Sequence, residues 1–243
     1  MMEIVKKLQA KQSDLRGAPA VTIAFLGDSV TQGCFECYMT SKTTLETVFD
    51  YKNAYSTAVG DILHTLYPAV QVNIVNSGIS GDSAVGGAKR LERDVLSHRP
   101  DLVVLSFGLN DSSKGREGIG EYAAALEEMM IKLRAEGIEV IFLTQNFMCQ
   151  KTSPHIMNEP LFVSLAERFA EIQKSGVLGE YFAAAREVAK KHGAVLCDLY
   201  AVWEAMAAAG VDVTELLSNK LNHPTREFHR YMAAKLVETM LLG

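Results

Sequence analysis

The chain has 243 residues, 48% of them hydrophobic, which is enough apolar material for one large core. Its formal net charge of −5 comes from mixed signs spread along the chain, so the basic stripe that would neutralise nucleic-acid phosphates is missing. The charged residues Glu3, Lys6, Lys7, Lys11, Asp14 and Arg16 leave no apolar signal-peptide region, and no later run is long enough to span a bilayer. A soluble, cytoplasmic protein with neither a nucleic-acid nor a membrane partner is the expectation.

Ile4, Leu8 and Leu15 share one face of an expected helix from Glu3 to Leu15, a helical extension (1–19) ahead of the main domain (20–243). Val21 to Leu26 is apolar and β-branched like a buried strand, and it stops at Gly27-Asp28-Ser29-Val30-Thr31-Gln32-Gly33. Residues 34–53 read as a long polar and aromatic loop, either a wall or lid over a site or a plain surface insertion. Helical spacing over Ala54–Leu66 leads to a second strand, Val70–Val75, which runs into Asn76-Ser77-Gly78. A helix over Ala84–Ser97 is broken by Pro100, and a third strand, Leu102–Phe107, ends in Gly108-Leu109-Asn110-Asp111. Tyr122, Leu126, Met129, Met130 and Leu133 trace a helical stripe that reads as core packing.

Ile138–Leu143 is a fourth strand, followed by a second long loop to Pro160. Helical spacing returns over Phe162–Ile172 and Tyr181–Lys191, and Ala194–Cys197 is a short fifth strand ending at Asp198. A helix over Ala201–Ala208, a short helix opened by an Asp212/Glu215 capping pair, and a last helix burying Phe228, Met232, Leu236 and Met240 complete the chain. Strands alternating with helices of crossover length predict the α/β class: a parallel five-stranded sheet with helices on both faces.

The polar residues of interest follow strands. Ligands of open α/β sheets bind beyond the carboxyl ends of the strands, where these loops meet. Ser29 Oγ can attack an acyl carbon if a base takes its proton. Backbone N–H groups of Ser29 and Gly78 and the Asn110 amide can receive an oxyanion. His223, just before the last helix, has an ordinary pKa of about 6.5 and suits the base. Cys34-x-x-Cys37 is open to redox or zinc use, but it lacks a second Cys/His pair, and reduced, structurally ordinary cysteines are the simpler reading.

Gly27–Gly33, Asn76-Ser77-Gly78, Gly108-Leu109-Asn110-Asp111 and His223-Pro224 resemble, in order, the four blocks of the SGNH hydrolases, also called GDSL esterases and lipases. The resemblance runs from about residue 21 to about 226. It implies a flavodoxin-like three-layer α/β/α fold, no metal or organic cofactor, and ester hydrolysis through an acyl-enzyme. It also implies Ser29 as nucleophile, Gly78 and Asn110 as oxyanion donors, and His223 as base. Short acyl groups, acetyl first, on a carbohydrate or similar alcohol are the substrates it suggests. The oligomeric state stays open.

One position departs from the family. The aspartate expected three residues before the histidine, which would orient the imidazole, is Lys220. Three substitutes are conceivable: a backbone carbonyl near Asn219–Leu221, the Asn219 side chain, or a distant carboxylate such as Asp198. A Ser-His dyad assisted by a carbonyl or Asn219 is preferred, and Asp198 reads as a structural strand-end residue. Asp28 and Asp111 read as turn-stabilising, His64, His98, His192 and His229 as solvent-facing or capping, and His155 as loop-borne and able to meet substrate. The missing aspartate also keeps open a ligand-binding protein on a decayed hydrolase scaffold. A nucleotide or redox protein lacks the Gly-x-Gly-x-x-Gly and Gly-Lys-Ser/Thr signatures.

Overall fold

A computed structural model describes residues 1–243. Five strands, β1 (Val21–Gly27), β4 (Val72–Gly78), β5 (Leu102–Ser106), β6 (Glu139–Leu143) and β7 (Val195–Cys197), form a parallel sheet in the order β4-β1-β5-β6-β7. Side chains alternate in direction along a strand, so each strand feeds two cores. Ile23 and Phe25 of β1, Val104 of β5 and Ile141 of β6 join a core on one face. Ala24 and Leu26, Val103 and Leu105, and Val140 and Phe142 join a core on the other.

Helices cover both faces. Helices α1 (Glu3–Ser13), α3 (Tyr55–Leu66), α8 (Leu199–Ala208) and α9 (Arg226–Leu242) serve the first core, together with Phe162 and Ala166 of α6 (Pro160–Lys174). Helices α4 (Ala84–Asp94), α5 (Ile119–Ala135) and α7 (Val177–His192) serve the second. The fold is the three-layer α/β/α arrangement. Helix α1 buries Ile4, Val5 and Leu8, and the Glu139 carboxylate accepts the Glu3 and Ile4 N–H groups at 2.8 and 2.7 Å. Leu15, expected on its buried face, is instead 48% exposed.

The segment expected as an open loop is structured. Between β1 and α3 lie a one-turn helix α2 (Ser29–Gln32) and an antiparallel hairpin of β2 (Cys34–Met39) and β3 (Leu45–Phe49). Its half-exposed strands lack clean alternation, and its five-residue turn Thr40–Thr44 has no glycine, so the usual hairpin signals are missing. Cys34 pairs with Phe49 and Cys37 with Thr47, so Phe35 and Glu36 together oppose Val48, which makes a β-bulge.

Other local expectations shift too. The helix after β4 ends at Asp94, and a 3-10 turn takes over at Leu96–His98. Asp212 makes no capping bond; it pairs with Lys151, while Glu215 pairs with Lys220. His229 is fully buried, and its Nδ1 accepts the Tyr55 N–H at 3.1 Å.

Candidate active site

The apolar β1 delivers Ser29 to the carboxyl edge of the sheet. Asp28 caps the short turn α2 by accepting the Val30 N–H at 3.0 Å, and Gly33 ends it in the left-handed region at φ 91°. The turn lies hard against the end of β4. A Cβ on Gly78 would sit 2.2 Å from the Gln32 backbone nitrogen, so only glycine fits there.

His223 reaches the serine from the other end of the chain. Its Nε2 lies 3.0 Å from Ser29 Oγ, and its Nδ1 lies 3.0 Å from the carbonyl oxygen of Phe35. A carbonyl only accepts, so Nδ1 carries the ring hydrogen and Nε2 is left to accept the serine hydroxyl. Both side chains are buried, and burial pushes the His223 pKa down to about 4 despite the Phe35 carbonyl and the Glu36 charge. The imidazole is therefore neutral at physiological pH and able to take a proton.

The hydrogen-bond acceptor on Nδ1 is a carbonyl, as preferred, but not from residues 219–221. It comes from the bulge in β2. An extra residue in one strand breaks the ladder locally, which lets the Phe35 C=O turn out of the hairpin toward the histidine. The Asn219 side chain makes no hydrogen bond to the imidazole. Its Oδ1 accepts the N–H groups of Leu221, Asn222 and His223, each at 3.0 Å, and so folds the histidine loop. Asp198 caps α8 through Ala201 N–H and pairs with Arg186, away from the site. Lys220 takes a left-handed φ of 60° and directs its ammonium to Glu215 at 2.9 Å.

The other two strand ends meet Ser29 as the topology requires, because β4 and β5 flank β1. Their donors are already engaged. Gly78 N–H donates to Asn76 Oδ1 at 2.9 Å, and Asn110 Nδ2 donates to the Asp82 carbonyl at 2.8 Å. Asn110 keeps a second hydrogen, for which Asp28 Oδ2 at 3.5 Å is a poor acceptor.

Three supporting residues escaped the sequence reading. Gln145, just after β6, donates to Asp28 Oδ2 at 2.9 Å and accepts Leu109 N–H at 3.0 Å. Asn146 donates to the Asn222 carbonyl at 2.8 Å and ties down the histidine loop. Arg90 donates to the carbonyls of Ser77 and Gly27 at 2.5 and 2.9 Å and pairs with Asp82, bracing the ends of β4 and β1. The polar run Thr144-Gln145-Asn146 at a strand end was the one available signal, and Arg90 inside a helix gave none.

Burial raises Asp28 to about 7 and Asp111 to about 6, so both hold protons more readily than surface carboxyls. Asp111 does not bond its own loop alone; it accepts Ala84 N–H at 2.9 Å, from the start of α4. The four cysteines are free, and burial pushes the Cys34 thiol up to about 12. Beside the histidine loop lies a cavity of about 350 Å³, lined by Glu36 and Tyr38 of the hairpin, His155 and Glu159 of the loop after β6, and Asn219 and Lys220. Both long segments thus wall one space. No helix is long and apolar enough to cross a membrane.

Residues 25–231 match the model of the GDSL-like Lipase/Acylhydrolase family. An acetylxylan esterase of Geobacillus stearothermophilus is 25% identical over 131 residues, which cover 50% of this chain and 58% of that protein. Esterase TesA of Pseudomonas aeruginosa is 39% identical over 70 residues, or 29% of this chain and 34% of that protein. Neither match reaches two thirds of the relative's own length. Among solved structures, a two-domain esterase active on acetylated mannans superimposes with a TM-score of 0.66 at 19% identity, covering 98% of this chain and 52% of that one. That likeness is one of fold. The family match takes in the strand ends that carry Ser29, Gly78 and Asn110 and the loop that carries His223, and on it this chain belongs to the GDSL-like lipase/acylhydrolase family.

Proposed function

We propose that this chain is a serine esterase that removes small acyl groups, acetyl first, from a carbohydrate or comparable alcohol. The observation that carries the reading is the continuous path from Ser29 Oγ through both ring nitrogens of His223 to the Phe35 carbonyl. Ser29 Oγ attacks the ester carbonyl while His223 Nε2 takes its proton. The same proton then goes to the departing alkoxide, leaving Ser29 acylated. Water then attacks the acyl carbon while His223 Nε2 takes its proton, and the same proton passes to Ser29 Oγ as the acyl bond breaks and the acid leaves. Asn110, with its spare hydrogen, and the Ser29 N–H, which has no intrahelical acceptor at the start of its turn, serve the oxyanion. Gly78 N–H serves it by leaving Asn76. The acetyl and carbohydrate preferences rest on the names of the relatives, an acetylxylan esterase and an esterase active on acetylated mannans.

The test is hydrolysis of p-nitrophenyl acetate and of acetylated xylo-oligosaccharides by the wild type, Ser29→Ala and His223→Ala. Both variants are expected to lose at least ~10³-fold in kcat. A fluorophosphonate should add to the wild type and not to Ser29→Ala. Unchanged turnover in Ser29→Ala removes the nucleophile assignment.

A second reading, a ligand-binding protein on this scaffold, draws support from the engaged Gly78 and Asn110 donors and from the absence of a carboxylate on His223 Nδ1. Tight binding of an acetylated oligosaccharide without turnover or probe labelling would favour it.

A further inference from the structure

The third member of a serine triad is normally a charged side chain with one hinge to its own backbone. Here it is a carbonyl on a β-bulge in a half-exposed hairpin, which is intrinsically less well fixed. Something has to hold it. Arg226 is the first residue of α9, three positions after His223. Its Nη1 and Nη2 fork onto the Glu36 carboxylate at 2.5 and 3.0 Å, and its Nε donates to Asp50 Oδ2 at 2.8 Å. The guanidinium lies 4.3 Å from the centroid of the Phe35 ring. His229, one turn further along the same helix, packs its ring 4.7 Å from the same phenyl. Asp50 is itself bound to the serine turn, because its N–H donates to the Gly33 carbonyl at 2.8 Å.

We propose that Arg226 is a positioning residue that replaces the missing aspartate at one remove: by clamping Phe35, Glu36 and Asp50 to the start of α9, it fixes the Phe35 carbonyl against His223 Nδ1. The inference rests on the reading of Ser29 and His223 as nucleophile and base. A planar fork with fixed donors suits the task, and a lysine ammonium at the same place keeps the charge but cannot span two carboxylates and lie flat on a ring. The charges around His223 separate position from electrostatics. Glu36 of β2 is the charge that acts on His223 itself, while Arg226 and Asp50 act on the neighbouring His229 of α9, and Lys220 and Glu215 pair with each other in the histidine loop.

The experiment compares Arg226→Lys, Arg226→Met, Glu36→Gln and Asp50→Asn, with Arg116→Lys as control, since Arg116 makes a similar fork with Glu180 on the exposed surface. Arg226→Met is expected to lose about 100-fold in kcat and Arg226→Lys about tenfold, with KM within about threefold and the control unchanged. The acidic limb of kcat/KM stays in place for Arg226→Lys and moves down in pH for Glu36→Gln, which removes the charge that raises the His223 pKa. Independently of turnover, the downfield proton resonance of His223 Nδ1–H, present in the wild type and in Ser29→Ala, should broaden or move upfield in both Arg226 variants. An unchanged resonance together with kcat within twofold in Arg226→Lys, Glu36→Gln and Asp50→Asn would overturn the proposal, even if Arg226→Met fails to fold. An inactive wild type that keeps the Arg226-dependent resonance would instead remove the esterase reading and leave the clamp standing.

Discussion

Burial sets the working range of His223. A general base acts only while unprotonated, and the imidazole stays neutral down to a pKa of about 4. The acidic limb of kcat/KM is therefore expected near pH 4, well below the limb near ~6.5 of an exposed histidine. A pH–rate profile on a short-chain aryl ester from pH 3.5 to 8 reads this directly, and a limb at 6.5 would show a solvated imidazole. Lys220 allows a second prediction at this scale. Its left-handed backbone aims the side chain at Glu215, 2.9 Å away, and not at His223. Restoring the family's aspartate with Lys220→Asp is thus expected to leave kcat no higher than in the wild type. Stability should fall by about 1 kcal/mol, because a half-exposed ion pair becomes a like-charge pair. Thermal unfolding and kcat measured on the same sample check both halves.

Elements bring the site together through close contacts that tolerate little change. The α2 turn rests on the end of β4 with room for glycine alone, so a Gly78→Ala methyl meets Gln32 backbone, not a flexible side chain. The expected outcome is a loss of about 1–3 kcal/mol in denaturant unfolding, with lower kcat because the serine turn has to shift. The parallel sheet and its helices were legible in the sequence because long apolar runs and helical stripes repeat without ambiguity. Ser29, Gly78, Asn110 and His223 could be picked out because each follows such a run or lies in the loop just before the last helix. The hairpin over 34–49 was not legible. Its strands are short and half-exposed, and the contact that matters, Phe35 carbonyl to His223, spans 188 residues and uses a backbone atom that carries no side-chain signature. Buried His229 was missed for a different reason: its spacing to Met232, Ala233 and Leu236 puts it on the buried face of α9, but a histidine reads as polar, and the Phe35 ring that packs on it comes from the unforeseen hairpin. The lysine at position 220 signalled that something else must orient the imidazole, but nothing local could say what.

Across the whole molecule, four buried titratable groups set how stability responds to mild acid, and they oppose each other. His223 and His229 fall to about 4 and about 3 when folded, from 6.5, so the unfolded chain holds two protons that the folded one lacks. Their contribution to stability rises with pH. Asp28 and Asp111 rise to about 7 and about 6 from 3.8, so here the folded chain holds the extra protons, and their contribution falls as pH rises. Carboxylates held low by Arg226, such as Glu36 and Asp50, contribute stability that is fully present above their ordinary values of 4.5 and 3.8 and is lost as pH falls through those values to their lower folded ones. Between about pH 5.5 and 6.5, above the range in which the lowered carboxylates titrate, the two pairs nearly cancel, and wild-type stability is expected to be almost flat there. Removing one member should tilt the curve. In Asp111→Asn the histidines prevail and stability should drop toward acid by about 1 kcal/mol per pH unit. In His229→Phe the aspartates prevail and the slope should reverse. Urea unfolding at half-unit intervals of pH gives the slopes, which are informative even though each substitution also changes the absolute stability. A steep wild-type slope of either sign would show that one of the pairs is hydrated in the folded protein. For the histidines that would mean a wet active site, and the low acidic limb expected of His223 would then be lost with it.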